Sequence, residues 1–214
     1  MKRGFFSAGM VVVACLLTTL SPLAAAVTIV AEATGEKAYR GGLVTPPLPK
    51  PVFTLTDTSR TPFDVAQKTE GFVTLLFFGY THCADMCPMQ MSLIARAFKV
   101  LPPDVTAQFK VIFVTTDPAR DTPETLRAWL DRFDTHFIGL TGSEAAIEAA
   151  QVAANLPPAK KSAVRPDGTY DVGHAAFVLA FTKDNLAHVL YPVGGKREDL
   201  EHDLPLLANE TWNR

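Results

Sequence analysis

Cysteine is scarce in this sequence. Three of the 214 residues are cysteine, at positions 15, 83 and 87, and the last two are only four residues apart. A framework of structural disulfides is therefore excluded, because so short a pair would close a loop that hardly restrains the unfolded chain. We expect Cys83 and Cys87 to serve chemistry instead, as a redox pair or as metal ligands.

The sequence also lacks a charge excess, repeats and biased tracts. It carries 20 basic and 22 acidic residues, a formal net charge of −2, which argues against nucleic acid as a partner. The absence of repeats and biased tracts argues against a solenoid or a coiled coil. What is present is an ordinary balance, 48% hydrophobic and 20% charged, which predicts a single globular domain with one core.

The N-terminus has the pattern of an export signal. Lys2 and Arg3 precede an apolar run from Gly4 to Leu20, and the alanines at 24–26 are the small residues that a signal peptidase accepts. We interpret residues 1–26 as a signal peptide, so the protein is expected to be exported from the cytoplasm.

Two alternatives stay open for this segment. Residues 4–31 carry no charge and are long enough for a membrane span, so an uncleaved anchor could tether the domain. Cys15 follows Val-Val-Ala, which loosely matches the motif at which bacterial lipoproteins are lipidated. Leu16 and Leu17 make that second alternative the weaker one, because apolar residues would then follow the lipidated cysteine.

Beyond the N-terminus, a lead-in and a domain can be told apart. Gly and Pro punctuate residues 27–50, which are predicted to be a flexible lead-in, and residues 51–214 have the pattern of one domain. The continuous apolar run at 72–78 predicts a central strand covered on both faces, and Pro88 opens a helix predicted to reach Leu101. The other predicted elements are strands at 52–55, 109–115 and 137–140, helices at 121–133, 143–155 and 196–207, a loop at 156–171, and a hairpin of 175–182 with 186–193.

This order of elements predicts the fold. A βαβα unit followed by a ββα unit, with two cysteines where the first central strand meets its helix, is typical of the thioredoxin architecture. The fold class is therefore α/β, a thioredoxin-like domain with a central mixed sheet flanked by helices.

The setting of the two cysteines suggests how they react. They lie in the loop and first helical turn that leave the central strand, where the positive end of the helix is expected to lower the pKa of both thiols. Three residues separate them, whereas redox enzymes of this fold generally have two. Two thiolates four residues apart on one helical face can converge on a metal ion.

A metal site of two thiolates needs a further ligand. Soft thiolates select Cu(I), zinc or iron–sulfur species. His174 stands just before the strand that begins the C-terminal hairpin, where the thioredoxin topology makes it face the Cys83–Cys87 loop. His82 is a weaker candidate, since it adjoins Cys83 and would point away, and Met86 at helical spacing is more often part of a core. Asp85 is either a solvated loop residue or helix-start charge, or it tunes the thiols or contacts a partner.

Several segments also resemble one known family, the Sco/SenC proteins, between about Tyr39 and Val193. The combination of the cysteine motif with the DPARDTPE segment is more specific than either alone. The segments that carry the resemblance are YRGG at 39–42, FFGYTHC and CP at 77–88, DPARDTPE at 117–124, LTG at 140–142, and His174.

The resemblance implies a function. It implies a copper chaperone that holds Cu(I) or Cu(II) through Cys83, Cys87 and His174. Such a protein takes copper from a donor protein and delivers it to the dinuclear copper centre of cytochrome c oxidase subunit II or to another copper protein. The implied setting is the bacterial periplasm, with the domain free or tethered to the inner membrane.

The sequence departs from the family pattern near these residues. Gly173 stands where the family often has Asp, Ala175 where it has Ser, and Ala84 where it usually has Pro. The first departure removes an oxygen that could assist Cu(II) more than Cu(I).

Other functions use the same cysteines. A thiol-disulfide oxidoreductase would keep the cysteines of the target copper site reduced, with Cys83 and Cys87 as its redox pair and no role for a histidine. A module that senses or sequesters copper and a thiol peroxidase are further alternatives. The position of His174 favours metal binding over the two thiol activities.

Overall fold

Residues 28–30 and 39–210 are described by the structure, a computed structural model. The strands are β1 Thr28–Val30, β2 Gly42–Pro49, β3 Thr54–Asp57, β4 Pro62–Asp64, β5 Val73–Gly79, β6 Phe109–Thr115, β7 Ile138–Thr141, β8 Lys160–Lys161, β9 Val172–Gly173, β10 Phe177–Phe181 and β11 Leu186–Pro192. The helices are α1 Val65–Lys68, α2 Met86–Val100, α3 Pro103–Thr106, α4 Pro123–Leu130, α5 Glu144–Ala153 and α6 Arg197–Asn209.

One mixed sheet organises these elements. Its strand order is β1-β2-β11-β10-β5-β6-β7-β3-β4, with β5, β6 and β7 parallel and the flanking strands antiparallel. Gly79 at the end of β5 pairs with Thr115 at the end of β6. The loops that follow these two strands therefore leave the sheet at the same edge, which we call the cysteine edge.

The central strand β5 is buried along its whole length, as its apolar run predicts. Its side chains alternate between two cores, because successive residues of a strand face opposite sides. Phe77 packs with residues of α2, α4 and α6, whereas Phe78 packs with residues of α1 and α5. Burying one such side chain contributes about 1.5–3 kcal/mol, so both faces hold β5 and the loop after it in place.

The helix after β5 starts earlier than its sequence pattern predicts. It begins at Met86 rather than Pro88, so Cys87 lies in its first turn and Cys83 in the loop before it. The two thiols therefore do not share one helical face, which corrects our expectation. Helices α4 and α5 begin within two residues of their predicted starts, and the side chains of Thr122 and Ser143 accept hydrogen bonds from backbone amides of the first turn.

The lead-in is predicted to be flexible over residues 27–50, but it contains regular structure at residues 42–49. These residues form β2, which pairs with β11 because Val44 packs into the core. The buried carboxylate of Asp203 accepts hydrogen bonds from the backbone amides of Arg40 and Gly41. A side chain at Gly41 would meet Val189, its Cβ lying 2.5 Å from a methyl carbon, so this close approach requires glycine.

The predicted loop at 156–171 contains a further strand. Lys160 and Lys161 pair with Gly173 and Val172, so residues 159–173 form a short arm that ends directly before His174. The amide of Ala159 at the start of the arm donates to the side chain of Gln151 on α5. The last helix, α6, runs through Pro205 without a break.

The predicted signal peptide, with the alternatives of an anchor and of lipidation at Cys15, falls on residues 1–26. These lie outside the described part of the chain. Among residues 28–30 and 39–210, no helix is both long and apolar enough to cross a membrane.

Candidate metal centre

The two cysteines lie together at the cysteine edge but in different surroundings. The amide of Cys87 donates to the sulfur of Cys83 at 3.4 Å, and both thiols are free. Cys83 is partly exposed, whereas Cys87 is fully buried. Gly79 makes room for the buried sulfur, since a Cβ at this position would lie 2.9 Å from it.

Burial dominates the acidity of the inner thiol. Removal from water raises the pKa of the Cys87 thiol, and a hydrogen bond from the Tyr80 backbone opposes this only in part. The prediction that the helix start lowers the pKa of both thiols is therefore wrong for Cys87. Its thiol keeps the proton until a stronger partner, such as a metal ion, replaces it.

His174 faces the buried sulfur, as its place before the C-terminal hairpin predicts. Its Nε2 lies 3.5 Å from the sulfur of Cys87, and its Nδ1 lies 2.9 Å from the carbonyl oxygen of Ala175. A carbonyl only accepts hydrogen bonds, so Nδ1 carries the proton and the lone pair of Nε2 points toward the sulfur.

The surroundings of His174 favour its neutral form. The rings of Phe77 and Tyr80 meet the imidazole edge-on, with centroids 6.0 and 5.8 Å away. Burial lowers the pKa of His174, and the carbonyl groups of Ala175 and Phe78 oppose this shift only in part. A neutral imidazole is the form that binds metals.

The three predicted site residues meet through Cys87. Its sulfur contacts His174, and its amide contacts the sulfur of Cys83. Within residues 28–30 and 39–210, no group of three or more His, Cys, Asp or Glu side chains is arranged to hold a metal ion. The geometry thus gives two pairwise contacts rather than a complete set of three converging ligands.

The weaker candidates lie around this centre or away from it. His82 turns to Thr81 and Asp121. Met86 and Met89 are exposed beside residues 80–85, the loop between β5 and α2 that we call the cysteine loop. Asp85 precedes α2 and makes no side-chain hydrogen bond to it. The remaining histidines pair with carboxylates elsewhere: His136 with Asp134, His188 with Asp184 and His202 with Asp203.

A buried carboxylate that the sequence analysis assigned no role fixes the cysteine loop. Asp121 is fully buried and accepts hydrogen bonds from the Thr81 amide at 2.9 Å, the Thr81 hydroxyl at 2.5 Å and the Thr115 hydroxyl at 2.6 Å. It thereby ties the loop after β5 to the end of β6. The signal for it was the acidic DPARD segment directly after a buried strand.

Comparison with known proteins assigns the family. The sequence model described as SCO1/SenC matches residues 46–208, most of the chain. The chain belongs to the SCO1/SenC family. A relative in Stutzerimonas stutzeri that bears the name "Putative copper-binding protein" is 34% identical over 165 residues, which cover 75% of this chain and 78% of that protein.

Two solved structures of SCO1/SenC proteins share the fold. Apo Sco1 from Thermus thermophilus has a TM-score of 0.70 and 32% identity, covering 79% of this chain and 97% of its own. ScoI from Bradyrhizobium japonicum, solved with copper bound, has a TM-score of 0.63 and 31% identity, covering 75% and 99%. The predicted family and the predicted thioredoxin-like α/β fold are both confirmed.

At position 173, where the sequence departs from the SCO1/SenC pattern, packing does not require a glycine. A Cβ there would lie 3.7 Å from the carbonyl oxygen of Lys160, an ordinary contact, and the residue is exposed. The site could therefore accommodate a side chain beside His174. Its absence in this chain is a chemical difference in the surroundings of the candidate ligand.

Proposed function

We propose that this protein is a copper metallochaperone that binds copper through Cys83, Cys87 and His174. It takes copper from a donor protein and delivers it to the dinuclear copper centre of cytochrome c oxidase subunit II or another copper protein. The observation that carries the proposal is the contact between the Cys87 sulfur and the deprotonated Nε2 of His174 at 3.5 Å. The family membership and the copper-bound relative support it.

The donor set suits copper. Thiolate sulfur is a soft ligand that favours Cu(I), and imidazole nitrogen is favoured by Cu(II), so one set of residues can hold both oxidation states. Copper replaces the proton on the buried Cys87 thiol, which makes uptake dependent on proton release. The rings of Phe77 and Tyr80 shield the His174 side of the centre from water.

Copper titration of the reduced protein tests this proposal. We expect one Cu(I) per chain in competition with a Cu(I) chelator, and loss of that site in Cys83→Ala and Cys87→Ala. Cys15→Ala is the matched control, because it removes the one other cysteine and should keep full stoichiometry. A stoichiometry near zero, or an unchanged stoichiometry in Cys87→Ala, would contradict the proposal.

His174 requires a separate measurement. His174→Ala should weaken Cu(II) binding strongly and change the thiolate-to-copper absorption band, because Cu(II) favours nitrogen ligands. Cu(I), which two thiolates can hold, should lose less. Wild-type Cu(II) affinity and spectrum in this variant would remove His174 from the ligand set.

A thiol-disulfide oxidoreductase is the second candidate function. It is favoured by the pairing of a partly exposed Cys83 with a buried Cys87 at one loop. The Cys83 thiolate would attack a target disulfide and release one target thiol, and Cys87 would then displace the second target thiol from the mixed disulfide with Cys83. Two target thiols would form as the Cys83–Cys87 disulfide forms, with two electrons passing to the target.

The two candidates separate on His174→Ala. A reductase should still reduce a disulfide-bonded peptide of the target copper site with this variant, whereas a chaperone should lose Cu(II) binding. Full peptide reduction together with wild-type copper binding would favour the oxidoreductase.

We further propose that the domain acts outside the cytoplasm, exported by residues 1–26. The charge and apolar pattern of that segment support the proposal. N-terminal sequencing of the protein recovered from the periplasmic fraction tests cleavage. A start at residue 27 indicates a free domain, and an intact N-terminus in the membrane fraction indicates a tethered one.

A further inference from the structure

A cluster of three side chains joins the arm to the rest of the cysteine edge. Asp117 is fully buried at the end of β6 and forms an ion pair with Arg120, three residues later. The hydroxyl of Tyr170, on the arm, donates to the other oxygen of Asp117 at 2.8 Å. The loop after β6 and the arm are therefore linked through one carboxylate.

The guanidinium of Arg120 adds a second link. It lies over the ring of Tyr170, with 3.7 Å between its central carbon and the ring centroid, and 5.7 Å from the centroid of Tyr80. A planar cation attracts aromatic faces in this way. Arg120 thus stands between the arm and the residue that opens the cysteine loop.

Tyr80 links Arg120 to His174, the candidate copper ligand. Its ring meets the His174 imidazole edge-on at an interplanar angle of 87°. Its hydroxyl accepts a hydrogen bond from the backbone amide of Val172, two residues before His174. Val172 is itself buried in the core that holds Cys87. The position of His174 therefore depends on Tyr80 from the side and on the arm from the preceding residues.

We propose that Arg120 is a positioning residue of the copper site, which holds the arm and Tyr80 so that His174 faces Cys87. The inference rests on the proposed function, in which His174 is a copper ligand. Asp117 and Tyr170 complete the device, since each makes a separate contact with Arg120 and the two bond to each other. Arg120 acts through its neighbours Asp117, Tyr80 and Tyr170 rather than through a contact with the sulfurs or the imidazole.

The hydrogen bonding and stacking of the Arg120 guanidinium agree with a positioning role. Its Nη2 is buried and, among the described residues, has no hydrogen-bond partner. A buried donor without a partner destabilises a fold, so hydrogen bonding alone does not account for an arginine here. The position of the guanidinium plane between two aromatic rings accounts for the arginine, because lysine could supply the charge to Asp117 but not the stacking surface.

The test uses the reduced, metal-free protein and two substitutions. Arg120→Lys keeps the charge opposite Asp117 and loses the planar group, and Tyr170→Phe keeps the ring and loses the hydroxyl. Hydrogen exchange measured by mass spectrometry should become about tenfold faster at the backbone amides of residues 170–175 in both variants. Exchange in β5 and β6 should stay unchanged. Arg60→Lys is the matched control, because it alters an arginine in an exposed ion pair with Glu124.

A second readout separates positioning from general stability. After loading with Cu(II), Arg120→Lys should shift the thiolate-to-copper absorption band, and the Arg60→Lys control should not. Unchanged exchange at 170–175 in Tyr170→Phe, faster exchange throughout the protein, or an unchanged band in Arg120→Lys would each overturn the proposal.

Failure of the proposed function would look different. In that case the wild-type protein would take up no copper, and the absorption band could not be used. The NMR shifts of the His174 ring protons, which sense the adjacent Tyr80 ring, would then decide the positioning role. They should move in Arg120→Lys and stay in place in Arg60→Lys, and identical shifts in both variants would overturn it.

Discussion

The two ends of the parallel strands β5 and β6 differ in the side chains and the free space that they bring together. The cysteine edge has the two thiols, His174 and the buried carboxylates of Asp117 and Asp121. The opposite end has a cavity of about 460 Å³, lined by Phe98, Lys99, Phe109, Lys110, His136 and other residues of α2, α3 and the loop before β7.

The difference shows what makes a site in this fold. The cavity is roomy, but it brings together no set of soft ligands and no buried hydrogen-bond network that fixes their positions. At the cysteine edge, by contrast, the donors are held from several directions. For a small cargo such as a metal ion, fixed ligand atoms matter more than volume.

The sharpest way to test this comparison is to remove one carboxylate from each end. Asp121→Asn should lower the free energy of unfolding by about 3 kcal/mol, because an amide leaves buried donors of Thr81 and Thr115 facing an NH₂ group. Asp134→Asn, next to the opposite cavity, should cost less than about 1 kcal/mol, because its carboxylate is partly exposed. Urea denaturation of the metal-free protein measures both. Equal losses would contradict a special role for the cysteine edge.

The second prediction concerns the two thiols within the cysteine edge. In the folded, metal-free protein, Cys83 should react with iodoacetamide at least about tenfold faster than Cys87, because Cys87 is buried and its thiol has a raised pKa. Peptide mass spectrometry after short exposures measures the two rates. In urea the rates should become similar, which serves as the control. Similar rates in the folded protein would mean that Cys87 is accessible.

The third prediction adds a ligand atom to the cysteine edge. Gly173→Asp should strengthen Cu(II) binding by about tenfold and leave Cu(I) affinity nearly unchanged, because a hard carboxylate oxygen favours Cu(II). Gly173→Asn has almost the same shape without the charge and is the matched control. Competition titrations with both oxidation states measure the effect. An equal gain for Cu(I) would show that the aspartate acts by general attraction rather than as a ligand or its support.

The smallest expected effect is a dependence of stability on pH. The pKa of His174 is lowered by burial, so the unfolded chain binds the proton more readily than the folded protein does. Stability of the metal-free protein should therefore fall as the pH drops below the ordinary histidine value of 6.5. His174→Gln should flatten this dependence, because glutamine does not titrate. A slope that survives in His174→Gln would assign it to other groups.

Much of the cysteine edge could be predicted from sequence, because apolar patterning locates β5, β6 and the hairpin. Once those strands are ordered, Cys83, Cys87 and His174 must emerge near one another. Patterning does not report burial of an individual side chain, so the raised pKa of Cys87 was missed. A position at a helix start predicts a lowered pKa for Cys87, whereas burial of its sulfur in the core raises the pKa.

Long-range polar contacts were the other part that sequence did not reveal. Thr81 and Asp121 are forty residues apart, and Tyr170 is fifty-three from Asp117, so no local pattern links them. The strand β2 was missed for a related reason. Its prolines argue against regular structure, but its pairing with β11 and the packing of Val44 depend on residues far along the chain.

If the protein transfers copper as proposed, the unequal exposure of the two cysteines sets the order of events during the transfer. An acceptor approaching from solvent would reach the sulfur of Cys83 before that of Cys87, because Cys83 is partly exposed and Cys87 is fully buried. Ligand exchange would then proceed stepwise, with the outer thiolate displaced first and copper briefly shared between two proteins. The buried Cys87 would be the last sulfur to release copper, so copper would stay bound until the acceptor had already engaged it.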